Sequence, residues 1–159
     1  MKSEFDCGIV DNILNEVGRK KSNILAILKK IQERYNYLPA DILTYVAQHS
    51  ECTESELYEV ARFYRNFSLT PRGKYVIKVC QGITCCANES ALIVDTLKEH
   101  LGLSGDNNTT KDMLFTIETV LCLGACGVAP AISVNDSIHP SMTPEKVIRL
   151  IDELKRNSD

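Results

Sequence analysis

Apolar positions recur with a helical period through the first part of the chain, then with mixed helical and strand periods through the rest. Ile9, Ile13, Leu14 and Val17 share one helical face, and Gly18-Arg19-Lys20-Lys21 breaks it. Ser22 is placed to cap a second helix, whose Ile24, Ile27, Leu28 and Ile31 follow the i, i+3, i+4, i+7 spacing. Tyr35-Asn36-Tyr37-Leu38-Pro39 ends that helix. Pro39 suits the first position of a third, with Ile42, Tyr45 and Val46 as its stripe. Thr53 followed by Glu56 is a capping box, opening a fourth helix with Leu57, Val60, Ala61 and Tyr64 on one face. Residues 8–66 thus read as a small helical bundle.

The character changes at Thr70-Pro71-Arg72-Gly73. Lys74–Val79 is a strand by its β-branched content. Ser90–Leu101 is helical, with Leu92, Ile93, Leu97 and Leu101 expected inside, and Gly102–Asn108 is a loop. Leu114–Val120 and Ala131–Val134 read as strands, with a short fourth at Ser137–His139. Thr143-Pro144 caps a last helix carrying Val147, Leu150, Ile151 and Leu154. The expected fold class is α+β: a helical N-terminal segment over 1–70, then a thioredoxin-like α/β domain over 71–159.

Composition narrows the partners. The chain has 159 residues, 44% of them hydrophobic, enough for a packed core. A net charge of −3, without a long run of either sign, gives no counterion-release energy, so nucleic acid is not an expected partner. No apolar stretch is long enough to predict a membrane span. Met1–Asp6 carries two acids and no apolar core, so it does not read as a signal peptide, and a cytoplasmic location is expected.

Seven cysteines are many for such a chain, and an odd number in a reducing compartment argues against a disulfide framework. Four of them form two tight pairs: Cys80 and Cys85 as C-x4-C, and Cys122 and Cys126 as C-x3-C. Each pair follows an apolar, β-branched run, so two strand ends can bring four thiolates together. Gly82, Gly124 and Gly127 sit in or beside the pairs, where glycine lets backbone N–H groups approach sulfur. A soft four-thiolate set suits either a [2Fe–2S] cluster or zinc, and spacing alone does not choose. Cys7 and Cys52 read as ordinary residues, and Cys86 as a neighbour that could replace Cys85. His49, His100 and His139 stand apart from both pairs. A dinucleotide fingerprint, a P-loop and an H-E-x-x-H motif are all missing from the sequence. Tyr35, Tyr37, Phe63, Tyr64 and Phe67 cluster around two helix ends, and core packing is the preferred reading over a docking surface.

Several segments together resemble one family. Tyr37-Leu38-Pro39 is similar to its G-Y-L-P segment. Tyr58-Glu59-Val60-Ala61-Arg62-Phe63-Tyr64 is similar to Y-G-V-A-T-F-Y, and Pro71-Arg72-Gly73-Lys74 to P-x-G-K. Cys122-Leu123-Gly124-Ala125-Cys126 followed by Ala129-Pro130 is similar to C-x-G-x-C-x-x-A-P. The chain resembles the thioredoxin-like 2Fe–2S ferredoxin subunit of NADH:quinone oxidoreductase (complex I). It is similar also to the matching subunits of NAD(P)-linked iron hydrogenases, electron-bifurcating ones included, and of formate dehydrogenases. It departs from the pattern at Asn36, Glu59, Arg62, Glu89 and Ser90, where the family commonly has glycine, glycine, threonine, glycine and alanine.

The resemblance implies one 2Fe–2S cluster per chain, held by Cys80, Cys85, Cys122 and Cys126, with no catalytic residue in the chain itself. It implies single-electron exchange with a flavin-bearing partner that holds FMN and NAD(P), together with further iron–sulfur, hydrogenase or dehydrogenase subunits. A soluble complex of hydrogenase, formate dehydrogenase or transhydrogenase type is preferred over a respiratory complex I. A zinc-stabilised adaptor and a dithiol oxidoreductase are the other readings.

Overall fold

The computed structural model describes residues 5–158; Met1–Glu4, where part of the N-terminal reading falls, lie outside them. Packing divides the chain into two compact units, the second beginning at Arg72.

Among the described residues of the first unit, the regular elements are all helices. Asp6 caps α1 (Cys7–Val17) by accepting from the Gly8 N–H at 2.8 Å. Gly18 ends α1 with φ 93°, a conformation that favours glycine. A 3₁₀ turn over Lys21–Asn23 leads into α2 (Ile24–Tyr35). This turn overturns the expected cap. Ser22 lies inside it, Asn23 occupies the cap position, and the Asn23 amide is spent on the Val17 carbonyl at 2.8 Å. Pro39 likewise stands one place earlier than expected, as the residue before α3 (Ala40–His49). The capping box forms as read: Glu56 N–H donates to Thr53 Oγ1 and Thr53 N–H to Glu56 Oε2, opening α4 (Glu54–Phe63).

The helical stripes meet in one core of Val10, Ile13, Leu14, Ile27, Leu28, Ile31, Leu38, Ile42, Leu43, Val46, Cys52, Leu57 and Ala61. Leu43 is an addition to the expected stripe. Tyr64, expected on the α4 face, leaves the helix in extended backbone and is exposed. Phe63 is 79% exposed, so core packing does not account for the whole aromatic group.

The second unit is a four-stranded sheet with helices α5 (Ile83–Ala87), α6 (Ser90–His100) and α7 (Pro144–Arg156). Its strands are β1 (Tyr75–Cys80), β2 (Phe115–Val120), β3 (Ile132–Val134) and β4 (Ser137–His139), in spatial order β2-β1-β3-β4. β1 pairs parallel with β2, Tyr75 opposite Phe115 and Cys80 opposite Val120. On its other side it pairs antiparallel with β3, and β3 continues antiparallel to β4. Ile77, Val79, Ile93, Leu97, Phe115, Ile117, Ile132, Val147 and Ile151 form the core between sheet and helices. Leu92 is exposed because Ser90, Ile93 and Leu97 define the inward face of α6, and Leu92 lies off it. His100, the last residue of α6, reaches Asp152 of α7 at 2.9 Å.

The start of β1 is fixed tightly against β2. Gly73 N–H donates to the buried Thr116 Oγ1 at 2.7 Å, and the Arg72 guanidinium meets the Glu118 carboxylate at 2.7 Å. These contacts set the register that delivers Cys80 beside the loop following β2.

Candidate metal centre

Each of the four paired cysteines is placed by a different local device. Cys80 is the last residue of β1, buried at the carboxyl end of the central strand. Cys85 is buried in α5, a five-residue helix too short to leave a periodic signal in the sequence. Cys122 lies in the loop after β2, and Cys126 opens a 3₁₀ turn over Cys126–Val128; both are exposed. The segment then passes through the cis Ala129–Pro130 peptide into β3. All seven cysteines are free thiols.

These devices bring the sulfurs together. The Cys80 thiol is within hydrogen-bonding reach of both Cys85 and Cys122, and Cys85 feels the charge of Cys126 as well as Cys80. Backbone N–H groups surround them. Gly124 donates to Cys122 Sγ at 3.2 Å, and the backbone N–H groups of Gly82 and Leu123 act on Cys80 and that of Ala131 on Cys85, each favouring the thiolate.

The electrostatic result differs between the two buried thiols. Burial pushes Cys80 up, but the Gly82 and Leu123 N–H groups and the Cys85 and Cys122 thiols outweigh it and hold Cys80 below the ordinary cysteine value. Burial raises Cys85, and the charges of Cys80 and Cys126 add to that rise against the opposing Ala131 N–H.

Close approach demands glycine at one point. A Cβ at Gly82 would fall 2.9 Å from the Leu121 carbonyl oxygen and 3.5 Å from Cys80 Sγ. Gly124 has φ 74°, which turns its N–H toward Cys122. A Cβ at Gly127 would meet nothing within 4 Å, so spatial crowding does not account for that glycine.

Cys86 turns away from this group. Its Sγ donates to the Gln81 carbonyl at 3.3 Å, and the buried Ser90 hydroxyl approaches it at 3.8 Å. Cys52 is buried in the helical core and Cys7 is exposed on α1. His49 stacks on Tyr45 with ring centroids 4.0 Å apart.

The donor set fits an iron–sulfur cluster. Thiolates are the ligands such clusters take, and N–H donors to sulfur are what tunes them. Among the described residues, no group of three or more His, Cys, Asp and Glu side chains is drawn up around a single ion-sized point. A two-iron cluster needs only two thiolates at each metal. Among the described residues, no helix is long and apolar enough to cross a membrane.

Sequence reasoning missed the backbone donors of Leu123 and Ala131, because every residue but proline carries an N–H and only the fold decides where it points.

Known proteins share this architecture. The NAD+-reducing [NiFe]-hydrogenase in its air-oxidised state contains a matching region with a TM-score of 0.70 at 20% identity, over 82% of this chain. The H2-reduced state of that enzyme gives a TM-score of 0.73 over 87% of this chain. In both cases the chain spans 23% of the larger hydrogenase chain, and the likeness is one of fold. By sequence, the chain is 32% identical to the HndA component of the NADP-reducing hydrogenase of Solidesulfovibrio fructosivorans, over 91% of this chain and 84% of that protein. It is 40% identical to a subunit of the NADH-quinone oxidoreductase of Rickettsia bellii (strain RML369-C), over 87% of this chain and 83% of that protein. The pattern of the thioredoxin-like [2Fe-2S] ferredoxins matches residues 10–155, taking in both units and all four paired cysteines. With that match over most of its length, the chain belongs to the thioredoxin-like [2Fe-2S] ferredoxin family.

Proposed function

We propose that Cys80, Cys85, Cys122 and Cys126 hold one [2Fe–2S] cluster in the 71–159 domain, which a helical segment over 1–70 precedes in sequence. The chain is then the electron-transfer subunit of a soluble NAD(P)H-linked flavoprotein complex of hydrogenase, formate dehydrogenase or transhydrogenase type. It exchanges single electrons with a partner that carries FMN and NAD(P), in the cytoplasm.

The observation that carries this reading is the meeting of Cys80 with Cys85 and Cys122 inside a ring of backbone donors. When bound, the cluster supplies one-electron redox chemistry. The chain's own residues do the rest. β1 and α5 fix two sulfurs in buried positions, the loop after β2 presents two at the surface, and the N–H groups of Gly82, Leu123, Gly124 and Ala131 stabilise negative charge on sulfur. The relative from an NADP-reducing hydrogenase, matched over 91% of this chain, favours a complex of hydrogenase type.

A second reading is a peripheral subunit of respiratory complex I, favoured by the 40% identity to the NADH-quinone oxidoreductase relative. The two readings share the site and differ in the complex around it.

The test is anaerobic purification followed by iron and zinc analysis and EPR of the dithionite-reduced protein. Roughly two irons per chain and a rhombic S = 1/2 signal are expected. About one zinc, no iron, and failed reconstitution with iron and sulfide would replace this reading with the zinc-stabilised adaptor. The NAD(P)-binding flavoprotein that copurifies then separates the soluble complex from complex I.

A further inference from the structure

Both cysteine loops are free of formal charge. Between Lys78 and Glu89, and again between Glu118 and Asp136, the sequence contains no Asp, Glu, Lys, Arg or His. Beside the polar Thr84 and Asn88, these loops turn three large aliphatic side chains outward. Ile83, at the first position of α5, is 91% exposed; Leu121, immediately before Cys122, is 72% exposed; Val128, two residues after Cys126, is 41% exposed. The loops abut, since Gly82 meets the carbonyl of Leu121, so Ile83 and Leu121 project from adjoining stretches of backbone.

Side chains left this far in water contribute almost nothing to the stability of the unit, whose core lies elsewhere. Several exposed aliphatic groups around one reactive centre mark a contact surface rather than the scattered apolar residues any protein shows. Charge then selects the occupant. Four cysteines acting as metal ligands bring negative charge to this face, and neither loop offers a cation against it. A second copy of the chain would set two such sites against each other with only Lys146, which donates to the Ser141 carbonyl beside Val128, as a cation at their margin, and like charge at the centres opposes association.

We infer that Ile83, Leu121 and Val128 form the docking surface for a redox partner protein whose contact face is apolar at its centre and cationic around its own cofactor. This inference rests on the electron-transfer reading of the site and names the chemistry of the partner. Ile83 and Leu121 are the anchors that exclude water, and the partner's cations supply the charge these two loops lack.

The experiment uses the cluster-loaded full chain and ferricytochrome c, a basic haem protein with lysines around its exposed haem edge, with binding measured by calorimetry at low ionic strength. The double variant Ile83→Ser/Leu121→Ser should weaken binding about tenfold, as loss of central anchors does. Met113→Gln removes an exposed apolar side chain just before the start of β2, at the opposite end of the sheet, and should bind as wild type. Ile83→Lys should weaken cytochrome c binding further and strengthen binding to succinylated cytochrome c, whose lysines carry negative charge. Iron content and the EPR spectrum are recorded for every variant. Unchanged affinity in the double serine variant with its cluster intact overturns the docking surface and leaves the electron-transfer reading standing. The same holds for a lysine variant that changes neither affinity, and for a wild type that binds neither form. A wild type that contains no iron overturns the electron-transfer reading itself.

Discussion

The α-carbon of Gly82 faces the carbonyl oxygen of Leu121 so closely that a single added carbon would lie 2.9 Å from it. This contact joins the two cysteine loops through backbone alone. Gly82 has φ −66°, so the requirement is one of space and not of torsion. The Gly82→Ala variant should therefore push the loops apart, moving the N–H that serves Cys80. A stability loss of about 1–3 kcal/mol is expected, as for other overpacked sites, with a lower iron content per chain. Thermal melts of the loaded protein and iron analysis check both.

Cys85 and Cys86 are neighbours with opposite surroundings. Cys85 is buried against Cys80, whereas Cys86 is exposed and donates to Gln81. Cys85→Ser should strip or shift the cluster and lower the melting temperature, because metal binding and folding are coupled. Cys86→Ala should keep the absorption and EPR spectra of wild type. A lost spectrum in the alanine variant would move the ligand from Cys85 to its neighbour.

Glu89 holds a left-handed backbone with φ 62° just before α6, and its side chain makes no capping hydrogen bond. The family commonly has glycine at this position, and the structure supplies the reason. Glu89→Gly should stabilise the protein by about 0.5–1 kcal/mol, the left-handed penalty of an L-residue less the backbone entropy of glycine. Urea unfolding with an unchanged m-value would establish it.

Glu56 takes part in the capping box and pairs with Lys21, and these partners, Lys21 first and the Thr53 backbone next, hold its carboxyl below the usual glutamate value. A lowered carboxyl stabilises the folded state at high pH. The contribution is complete above the unfolded-state value of about 4.3 and disappears as pH falls through the lower folded value. Lys21, raised by the same pair, adds stability below its unfolded value that is lost only in strong alkali, as pH rises through the folded one. Thermal melts between pH 7 and pH 3 should show a decline below about pH 4.3 that is shallower in Glu56→Gln.

Much of the fold and the site is legible in the residues alone. The helical stripes are readable because burial on one face repeats every three to four residues, and Ile27, Leu28 and Ile31 do so without interruption. The capping box at Thr53 is readable because both partners are side chains at a fixed spacing. The cap at Ser22 fails because the 3₁₀ turn, three residues long, carries no periodicity of its own. α5 is hidden for the same reason, and with it the fact that Cys85 is held by a helix. The spacing of the cysteine pairs can be read, but not the direction of Cys86, which depends on the Gln81 carbonyl. Asn36 shows the middle case. It stands where the family has glycine, and its φ of 65° at the end of α2 explains both the family preference and why asparagine, the best L-substitute, is tolerated.

β1 is an interior strand of the sheet, and its final residue is Cys80. Beyond the ladder itself, the Cys80 N–H reaches the Ala131 carbonyl at 3.3 Å, and the next N–H, of Gln81, reaches the Val120 carbonyl at 2.8 Å. An edge strand can fray one residue at a time, whereas a strand flanked on both sides opens only when its neighbours separate. Displacing Cys80 is therefore the same event as unfolding the sheet, and amide exchange at Val79, Cys80 and Gln81 clocks the lifetime of the proposed metal centre.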